Sequence, residues 1–464
     1  MLLLRRGLKE EPDVVIRRVG YILAVFLVVV GIISYAISLD AGLALAMGMA
    51  IRDGHLPYRD FFENRTPALH YLVAATLAIT YSLWPSRLLL LAVSLANAWL
   101  AARLAEHLAS RQAAAWAALF SLIAVLLFQG YSLLTEPFIA FLLLLAAWLA
   151  WVKRQPPLAA VAATATVWFK QPALLPAAVF LGILFWNAHC WRDRGLILGG
   201  ATLAIALPLA ALWHAGVGPA MVDQTIGANL RSASGRWLGV AEFTKTALGI
   251  IGATGILWVL GGVGLCEGSG LVDRRKNLAL GATAFAALVT VVPSLYLHYF
   301  LIAAALGSVA AGIGMACLLA SLALPRHKIA LVALALLPLV AQGAVPSLSV
   351  LKQGYLFRQI ALARAVEQAT QPGEPILVLT YSPGYYFLAH RYPPVPTFFT
   401  LWINDSPQLE EQMVESLGRD VHIAVIVAQP DQENCAKRVR DTIRQRGTLL
   451  LADPGLKAEV WRVN

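Results

Sequence analysis

Charged residues are scarce in this chain. Only 13% of its 464 residues are Asp, Glu, Lys or Arg, whereas 59% are hydrophobic, and the mean hydropathy is +0.69. Soluble proteins carry roughly 25% charged residues, because their surfaces must face water. The shortage of charge therefore excludes a soluble globular protein and predicts a polytopic α-helical membrane protein.

Cysteine is also scarce. The four cysteines are Cys190, Cys266, Cys317 and Cys435, and no two have the C-x-x-C spacing. This excludes a zinc or thioredoxin-like motif, and we expect no structural disulfide. The net charge is +10, but no stretch alternates basic and aromatic residues, so we expect no nucleic-acid partner. Positive charge of this kind is typical of the cytoplasmic loops of membrane proteins.

Apolar stretches of helical length follow one another through the first three quarters of the chain. They span residues 20–38, 68–84, 88–105, 113–130, 136–152, 157–170, 172–190, 195–213, 242–265, 278–294, 299–323 and 329–345. At about 1.5 Å per residue, most can cross or nearly cross a hydrocarbon core of about 30 Å. The short stretches 136–152 and 157–170 must pack inside the bundle or thin the bilayer.

Clusters of Lys and Arg orient these helices, because such residues favour the cytoplasmic side. The basic N-terminus precedes an uncleaved first span and is predicted to be cytoplasmic. Later clusters are Arg103 and Arg111, Lys153 and Arg154, Arg192 and Arg194, Arg274 to Lys276, and Arg326 and Lys328. Between residues 68 and 105 the charges allow one net crossing, so either 68–84 does not fully span or one cluster misleads. We expect about eleven crossings, an outer C-terminus and the inner (plasma) membrane of a bacterium.

The composition changes after Pro346. Segments 375–380 and 421–429 are predicted to be buried strands, and residues 406–418 and 432–446 are predicted to be helices. This order predicts a small α/β domain outside the membrane. We therefore divide the chain into a transmembrane catalytic domain over 1–346, with its first outer loop at 39–67, and an extracytoplasmic domain over 347–464.

Ionisable and aromatic residues collect at the predicted outer ends of the helices. They are Asp40, Arg59, Asp60, Glu63, Arg65, Glu136, Lys170, His298 and Tyr299. Such groups are costly near a membrane and commonly mark a functional site. Each also has a structural alternative: Asp40 and Glu136 can cap helices, the loop charges can form solvated ion pairs, and Lys170 can reach towards headgroups.

Four segments of the sequence carry a resemblance to a known superfamily. They are "SLDAGLALAMGMAIRDGHLPYRDFFENRTPALHYL", "LTEPFIAFLLLL", "WFKQPALLPAAVF" and "SLYLHYFLIAAAL". In this order they resemble the GT-C superfamily of integral-membrane glycosyltransferases, in particular the branch of protein O-mannosyltransferases and the lipid A aminoarabinose transferase. Many members have Asp-Glu where this chain has Asp40-Ala41, and Lys-Pro where it has "ENRTP". These departures argue against protein O-mannosylation specifically.

The resemblance implies a function and a role for each residue. It implies that the chain transfers a hexosyl or pentosyl group from a polyprenyl-phosphate sugar to an acceptor hydroxyl on the outer face of the membrane. Asp40 is then the expected catalytic base. The remaining residues are expected to bind the donor phosphate or sugar: Arg59, Asp60, Glu63, Arg65, Glu136, Lys170, His298 and Tyr299.

The chemistry of this transfer agrees with these residue types. A departing phosphate dianion needs cations, which Lys170 and Arg65 can supply. Direct attack by the acceptor inverts the anomeric centre without a covalent sugar–enzyme intermediate. The expected partners are the lipid-linked donor, membrane lipids and a lipid, polysaccharide or protein acceptor. No cofactor is required, although Asp60 and Glu63 could bind a divalent metal.

Two further segments have predicted roles. Residues 41–58 are interpreted as an amphipathic stretch on the outer membrane surface, with Tyr58, Phe61 and Phe62 in the interface or a lipid groove. The segment "YSPGYYFLAHRYPP", with Arg391, could contact a sugar, although a core role is the alternative.

A lipid-linked sugar transporter and a sensor anchored by its helices are the competing functions. The sequence shows no internal repeat of the kind that transporters tend to contain.

Overall fold

The computed structural model describes residues 12–233, 240–266, 273–291, 296–338, 354–379, 382–398, 407–427 and 436–463. The helices up to residue 338 are α1 (Pro12–Ser34), α2 (Leu39–Arg52), α3 (Ala68–Ile79), α4 (Leu83–Leu108), α5 (Arg111–Leu127), α6 (Glu136–Trp151), α7 (Pro156–Ala165), α8 (Leu174–Asn187), α9 (Trp191–His214), α10 (Gly218–Val222), α11 (Ala228–Ala233), α12 (Val240–Cys266), α13 (Arg274–Val289), α14 (Phe300–Ser321) and α15 (Pro325–Pro338). Each predicted apolar stretch overlaps one of these helices, so the prediction of a series of apolar helices is confirmed.

The remaining elements follow residue 353. They are α16 (Tyr355–Ala369), β1 (Leu377–Leu379), α17 (Gly384–Ala389), α18 (Pro407–Ser416), β2 (Ile423–Val427), α19 (Lys437–Arg446), β3 (Gly447–Asp453) and β4 (Ala458–Val463). The predicted strands and helices of this region are confirmed where they are described, while Ser406 lies outside the described residues. The predicted domain boundary at residue 346 also lies outside them, so this division stays a prediction.

Four described segments are long and apolar enough to cross a membrane. They are Arg17–Ser34, Leu83–Leu108, Trp191–His214 and Leu297–Ser321. The other apolar helices are shorter, and α3 has only 12 residues. A helix of that length rises about 18 Å, well short of a core of about 30 Å, so α3 cannot span on its own.

The chain forms two compact units that are not sequential. The first contains residues up to 33, 88–215 and 229–348, and the second contains residues 34–87, 216–228 and 349–464. Residues 39–67 and the C-terminal region thus belong to the same unit.

Helix α14 is the centre of the first unit. It packs against α5, α6, α12 and α13, and most of its residues are buried. Small residues allow these contacts: a Cβ on Gly312 would lie only 2.5 Å from the backbone nitrogen of Ala117 in α5, and one on Gly314 only 2.9 Å from that of Gly264 in α12. Close backbone approach at small residues is typical of helices that associate in membranes.

Helix α2 lies inside the second unit. Its residues 41–50 are all buried, and it packs against α3 and α17. A Cβ on Gly42 would lie 2.5 Å from the backbone nitrogen of Gly384, so glycine is needed there. The prediction of an amphipathic helix on the membrane surface is therefore wrong. Residues 41–50 are apolar on every side of the helix, and a helix of that kind is buried.

The C-terminal sheet has the strand order β1-β2-β4-β3. Strands β1 and β2 are parallel, and β4 is antiparallel to both of its neighbours. The β3–β4 hairpin was not predicted from the sequence. Its turn contains Asp453, Pro454 and Gly455, and the Asp453 carboxylate accepts a hydrogen bond of 2.8 Å from the Gly455 N–H. Asp, Pro and Gly are the residues that favour such a turn.

Candidate functional site

Asp40 lies in the first turn of α2 and faces a cation. The helix is capped by Ser38, whose hydroxyl accepts a hydrogen bond of 3.4 Å from the Ala41 N–H. The side chain of Asp40 instead meets Arg65, with 2.5 Å between Asp40 Oδ1 and Arg65 Nη2. The two side chains keep 22% and 27% of their surface exposed. The structural alternative for Asp40 as a cap is therefore wrong, and its carboxylate remains within reach of a ligand.

Arg65 is held through its backbone by two buried side chains. The Tyr58 hydroxyl donates a hydrogen bond of 2.7 Å to the Arg65 carbonyl. The Arg65 N–H donates one of 2.8 Å to Glu63 Oε1. Tyr58 is 3% exposed and Glu63 is 1% exposed. These contacts fix the main chain at Arg65 and hence the origin of its side chain.

Glu63 is paired with His70, which sequence reasoning missed. His70 lies on α3 and is 2% exposed. Its Nε2 lies 3.0 Å from Glu63 Oε2. Burial alone would raise the pKa of Glu63, but the attraction of His70 and then of Arg65 outweighs it and holds that pKa below its ordinary value. Glu63 is therefore a buried, ionised carboxylate.

Gln224 ties this loop to a distant segment of the chain. It lies in a π-helical turn over Asp223–Gly227. Its Oε1 accepts a hydrogen bond of 3.0 Å from the Glu63 N–H, and its Nε2 donates one of 2.9 Å to the Tyr58 carbonyl. A single glutamine thus joins the two residues that hold Arg65. Such π-helical turns often occur at functional sites, but no feature of the sequence predicts this one.

Two of the aromatic residues of the loop, Tyr58 and Phe61, are buried in the protein. Tyr58 and Phe61 are both 3% exposed, and Phe61 contacts Phe398 with 5.6 Å between ring centroids. Burial raises the pKa of the Tyr58 hydroxyl above its usual range. The prediction that these two residues anchor the loop in lipid is wrong, because they form part of the protein interior. Phe62 is only partly buried.

Arg59 and Asp60 pair with each other at the surface of the loop. Arg59 Nε lies 2.8 Å from Asp60 Oδ1, and Asp60 Oδ2 accepts a hydrogen bond of 2.7 Å from the Leu56 N–H. The bond from Arg59 is the main reason that the pKa of Asp60 is lowered to about 2. This geometry fits the alternative of a solvated ion pair, and a donor-binding role for the two residues stays a prediction.

A second polar cluster lies in the first unit. Glu136 begins α6 and is 1% exposed. Lys170 lies in extended backbone before α8, and its Nζ contacts Glu136 Oε1 at 2.7 Å. The same Nζ lies 3.6 Å from the centroid of the Tyr299 ring, which packs edge-on against His298 at 4.6 Å. Lys170 is 13% exposed and points into the protein, so the alternative of a headgroup contact is wrong.

Arg391 has a structural role in the described residues. It is 5% exposed and donates to the Thr370 hydroxyl and to the carbonyls of Ala389, His390 and Thr370. These contacts close the turn after α17. The core alternative for this segment therefore holds, and a sugar contact by Arg391 does not.

The candidate metal ligands are already engaged. Asp60 is bound by Arg59, and Glu63 is bound by His70. Within the described ranges, no group of three His, Cys, Asp or Glu side chains is arranged to hold a metal ion. Asp60 and Glu63 thus do not form a ready set of ligands for a divalent cation.

Comparison with solved structures shows the fold. No protein-family model and no curated protein sequence matches the chain. ArnT from Cupriavidus metallidurans, the lipid A aminoarabinose transferase, was solved bound to undecaprenyl phosphate and aligns with a TM-score of 0.62. The two sequences are 14% identical, and the alignment covers 97% of each chain.

Two structures of the Archaeoglobus fulgidus oligosaccharyltransferase are also similar. One, tethered to an acceptor peptide, aligns with a TM-score of 0.54 and 13% identity over 98% of this chain and 74% of that one. The other, in complex with zinc and sulfate, aligns with a TM-score of 0.50 and 13% identity over 89% and 67%. These proteins are GT-C glycosyltransferases. The resemblance drawn from the sequence motifs is thus confirmed as a likeness of fold.

Proposed function

We propose that this chain is a membrane glycosyltransferase that moves a sugar from a polyprenyl-phosphate donor to an acceptor hydroxyl. The observation that carries the proposal is the Asp40–Arg65 pair, 2.5 Å apart and partly exposed, in a chain with the GT-C fold. An ionised carboxylate beside a guanidinium combines a proton acceptor with an anion-binding group. The acceptor would be a lipid, a polysaccharide or a protein, and the transferred sugar a hexose or pentose.

The proposed reaction is a single displacement. The acceptor oxygen attacks the anomeric carbon, and the bond from that carbon to the phosphate oxygen breaks. The bonding electrons leave with the phosphate, and the hydroxyl proton passes to Asp40. Because the attack comes opposite to the leaving group, the anomeric centre inverts. Arg65 would stabilise the negative charge that develops on the departing phosphate.

The cluster around Lys170 would contribute to binding of the donor phosphate. Lys170 is a compact cation whose ammonium contacts Glu136. Glu136 would hold the ammonium in place, and Tyr299 would support it through its ring face. His298 would add a hydrogen-bond donor.

The membrane arrangement belongs to the same proposal. We place the chain in the inner membrane of a bacterium with its N-terminus in the cytoplasm and residues 347–464 outside. About eleven crossings follow from the distribution of positive charge. This topology would present Asp40 on the face where lipid-linked sugars are consumed. The reaction as written uses no metal ion.

Release of the lipid carrier tests the proposal. The purified chain in detergent would be incubated with a panel of polyprenyl-phosphate sugars and a mixed envelope extract as the acceptor source. We expect free polyprenyl phosphate to accumulate with one donor only. A chain in proteoliposomes that moves a lipid-linked sugar between leaflets without releasing the carrier would instead be a transporter, which would contradict the proposal.

A further inference from the structure

The two buried residues that hold Arg65, Tyr58 and Glu63, are each energetically unfavourable. Tyr58 has a φ of 69°, in the left-handed region that a bulky residue rarely adopts. Backbone strain of this kind is energetically unfavourable and tends to persist at functional sites. Glu63 is an ionised carboxylate that is 1% exposed. A loop selected only for stability would place apolar residues at such positions, because buried ion pairs seldom stabilise more than apolar packing does.

Both costly residues act on the same peptide unit. Tyr58 binds the carbonyl of Arg65 at 2.7 Å, and Glu63 binds its N–H at 2.8 Å. His70 in turn holds the second oxygen of Glu63 at 3.0 Å. These contacts fix the backbone of Arg65. From that fixed position its guanidinium reaches Asp40.

We propose that Tyr58, Glu63 and His70 are positioning residues that hold the Arg65 guanidinium against Asp40. The proposal rests on the proposed function, in which Asp40 accepts the acceptor proton. It assigns Glu63 to the support of Arg65, in place of the donor contact expected from the sequence. It also adds His70, which lies in the core of the unit.

The test compares two tyrosines that make the same bond. Tyr58→Phe removes a hydroxyl that binds the Arg65 carbonyl at 2.7 Å. Tyr81→Phe removes a hydroxyl of the same compact unit that binds the Phe387 carbonyl at 2.6 Å. Each change deletes one oxygen and leaves the ring in place, so both variants should fold. A loss of activity that comes only from general destabilisation should therefore appear in both.

We expect Tyr58→Phe to lower kcat by about 10- to 100-fold with little change in KM, because a small displacement of a catalytic group has an effect of that size. Tyr81→Phe should retain the wild-type kcat. Glu63→Gln keeps an oxygen for the Arg65 N–H and should retain more activity than Glu63→Ala. His70→Phe should behave like Glu63→Ala, since it releases the Glu63 side chain.

Amide hydrogen exchange of peptides covering residues 61–66 gives a readout that needs no turnover. Exchange should be about tenfold faster in Glu63→Ala and Tyr58→Phe than in the wild type, and unchanged in Tyr81→Phe. If the wild-type chain releases carrier from no donor, the proposed function fails, and exchange alone decides the positioning role. Unchanged exchange in both variants overturns it. An equal loss of kcat in Tyr58→Phe and Tyr81→Phe also overturns it.

Discussion

Arg65 and Asp40 are 25 residues apart in the sequence and 2.5 Å apart in the structure. One side chain lies at the start of a buried helix, and the other lies at the end of the loop that follows that helix. Both remain partly exposed, whereas Glu63 and His70 behind them are buried. This difference in exposure separates the groups that can meet a substrate from the groups that hold them.

The charge and the shape of Arg65 should both matter. Arg65→Gln removes the cation, and we expect kcat to fall by about 10²- to 10³-fold, as for loss of a group that stabilises transition-state charge. Arg65→Lys keeps the charge but loses the planar donor pair, so its loss should be smaller. Steady-state release of polyprenyl phosphate checks both values. Arg419→Gln, a change in an exposed ion pair with Asp420, should leave the rate unchanged. Equal rates for Arg65→Gln and the wild type would remove Arg65 from the site.

Glu136 and Lys170 should depend on each other for stability. Breaking a buried ion pair leaves an uncompensated charge and costs roughly 3–5 kcal/mol. We therefore expect Glu136→Gln and Lys170→Met to lower the unfolding midpoint strongly as single changes. The double variant should be less destabilised than the sum of the two. Thermal unfolding in one detergent checks the cycle, and additive effects would show that the two groups are not coupled.

The sequence identified the ionisable members of both clusters because such residues stand out in an apolar chain. Asp40, Arg65, Glu136 and Lys170 stand out in this way, but the sequence does not predict that Asp40 pairs with Arg65 or Glu136 with Lys170. The sequence could not identify Gln224, because a glutamine in a loop has no distinctive spacing and its partners lie more than 160 residues away. The fold brings Gln224 close to these partners, and a single sequence does not reveal which distant residues the fold brings together.

Two errors in the sequence analysis have physical reasons. The segment 41–58 is interpreted as amphipathic from the sequence, although its residues 41–50 are apolar on every side and buried. Tyr58 was assigned to lipid because of its ring, whereas its hydroxyl binds the Arg65 carbonyl. In a membrane protein, apolar residues can face either lipid or protein, so hydrophobicity alone does not distinguish the two surfaces.

The stability contributed by Glu63 should depend on pH. Its pKa in the folded protein is lowered from its ordinary value of 4.5, since His70 and Arg65 outweigh the effect of burial. Its contribution is therefore complete above the ordinary value and is lost as the pH falls through the lowered one. The difference in unfolding midpoint between the wild type and Glu63→Gln should shrink as the pH falls below the ordinary value of 4.5. A difference that grew on acidification would contradict this sign.

Removal of divalent metal should not affect the reaction. Asp60 and Glu63 are already engaged by Arg59 and His70, and the described residues offer no group of three ligands. We expect turnover to be unchanged after treatment with excess EDTA and gel filtration. A loss that Mg²⁺, Mn²⁺ or Zn²⁺ restores would show that a metal ion takes part.

The rate of the Asp40→Asn variant is the most direct test of the proposed role of Asp40 as the base. The substituted amide keeps an oxygen for Arg65 but cannot accept a proton at neutral pH. Release of polyprenyl phosphate from the active donor would be measured for the wild type, Asp40→Asn and Asp420→Asn, an exposed aspartate in the same unit. We expect a loss of at least about 100-fold for Asp40→Asn and no loss for Asp420→Asn. If Asp40→Asn released polyprenyl phosphate at the wild-type rate, Asp40 could not be the base.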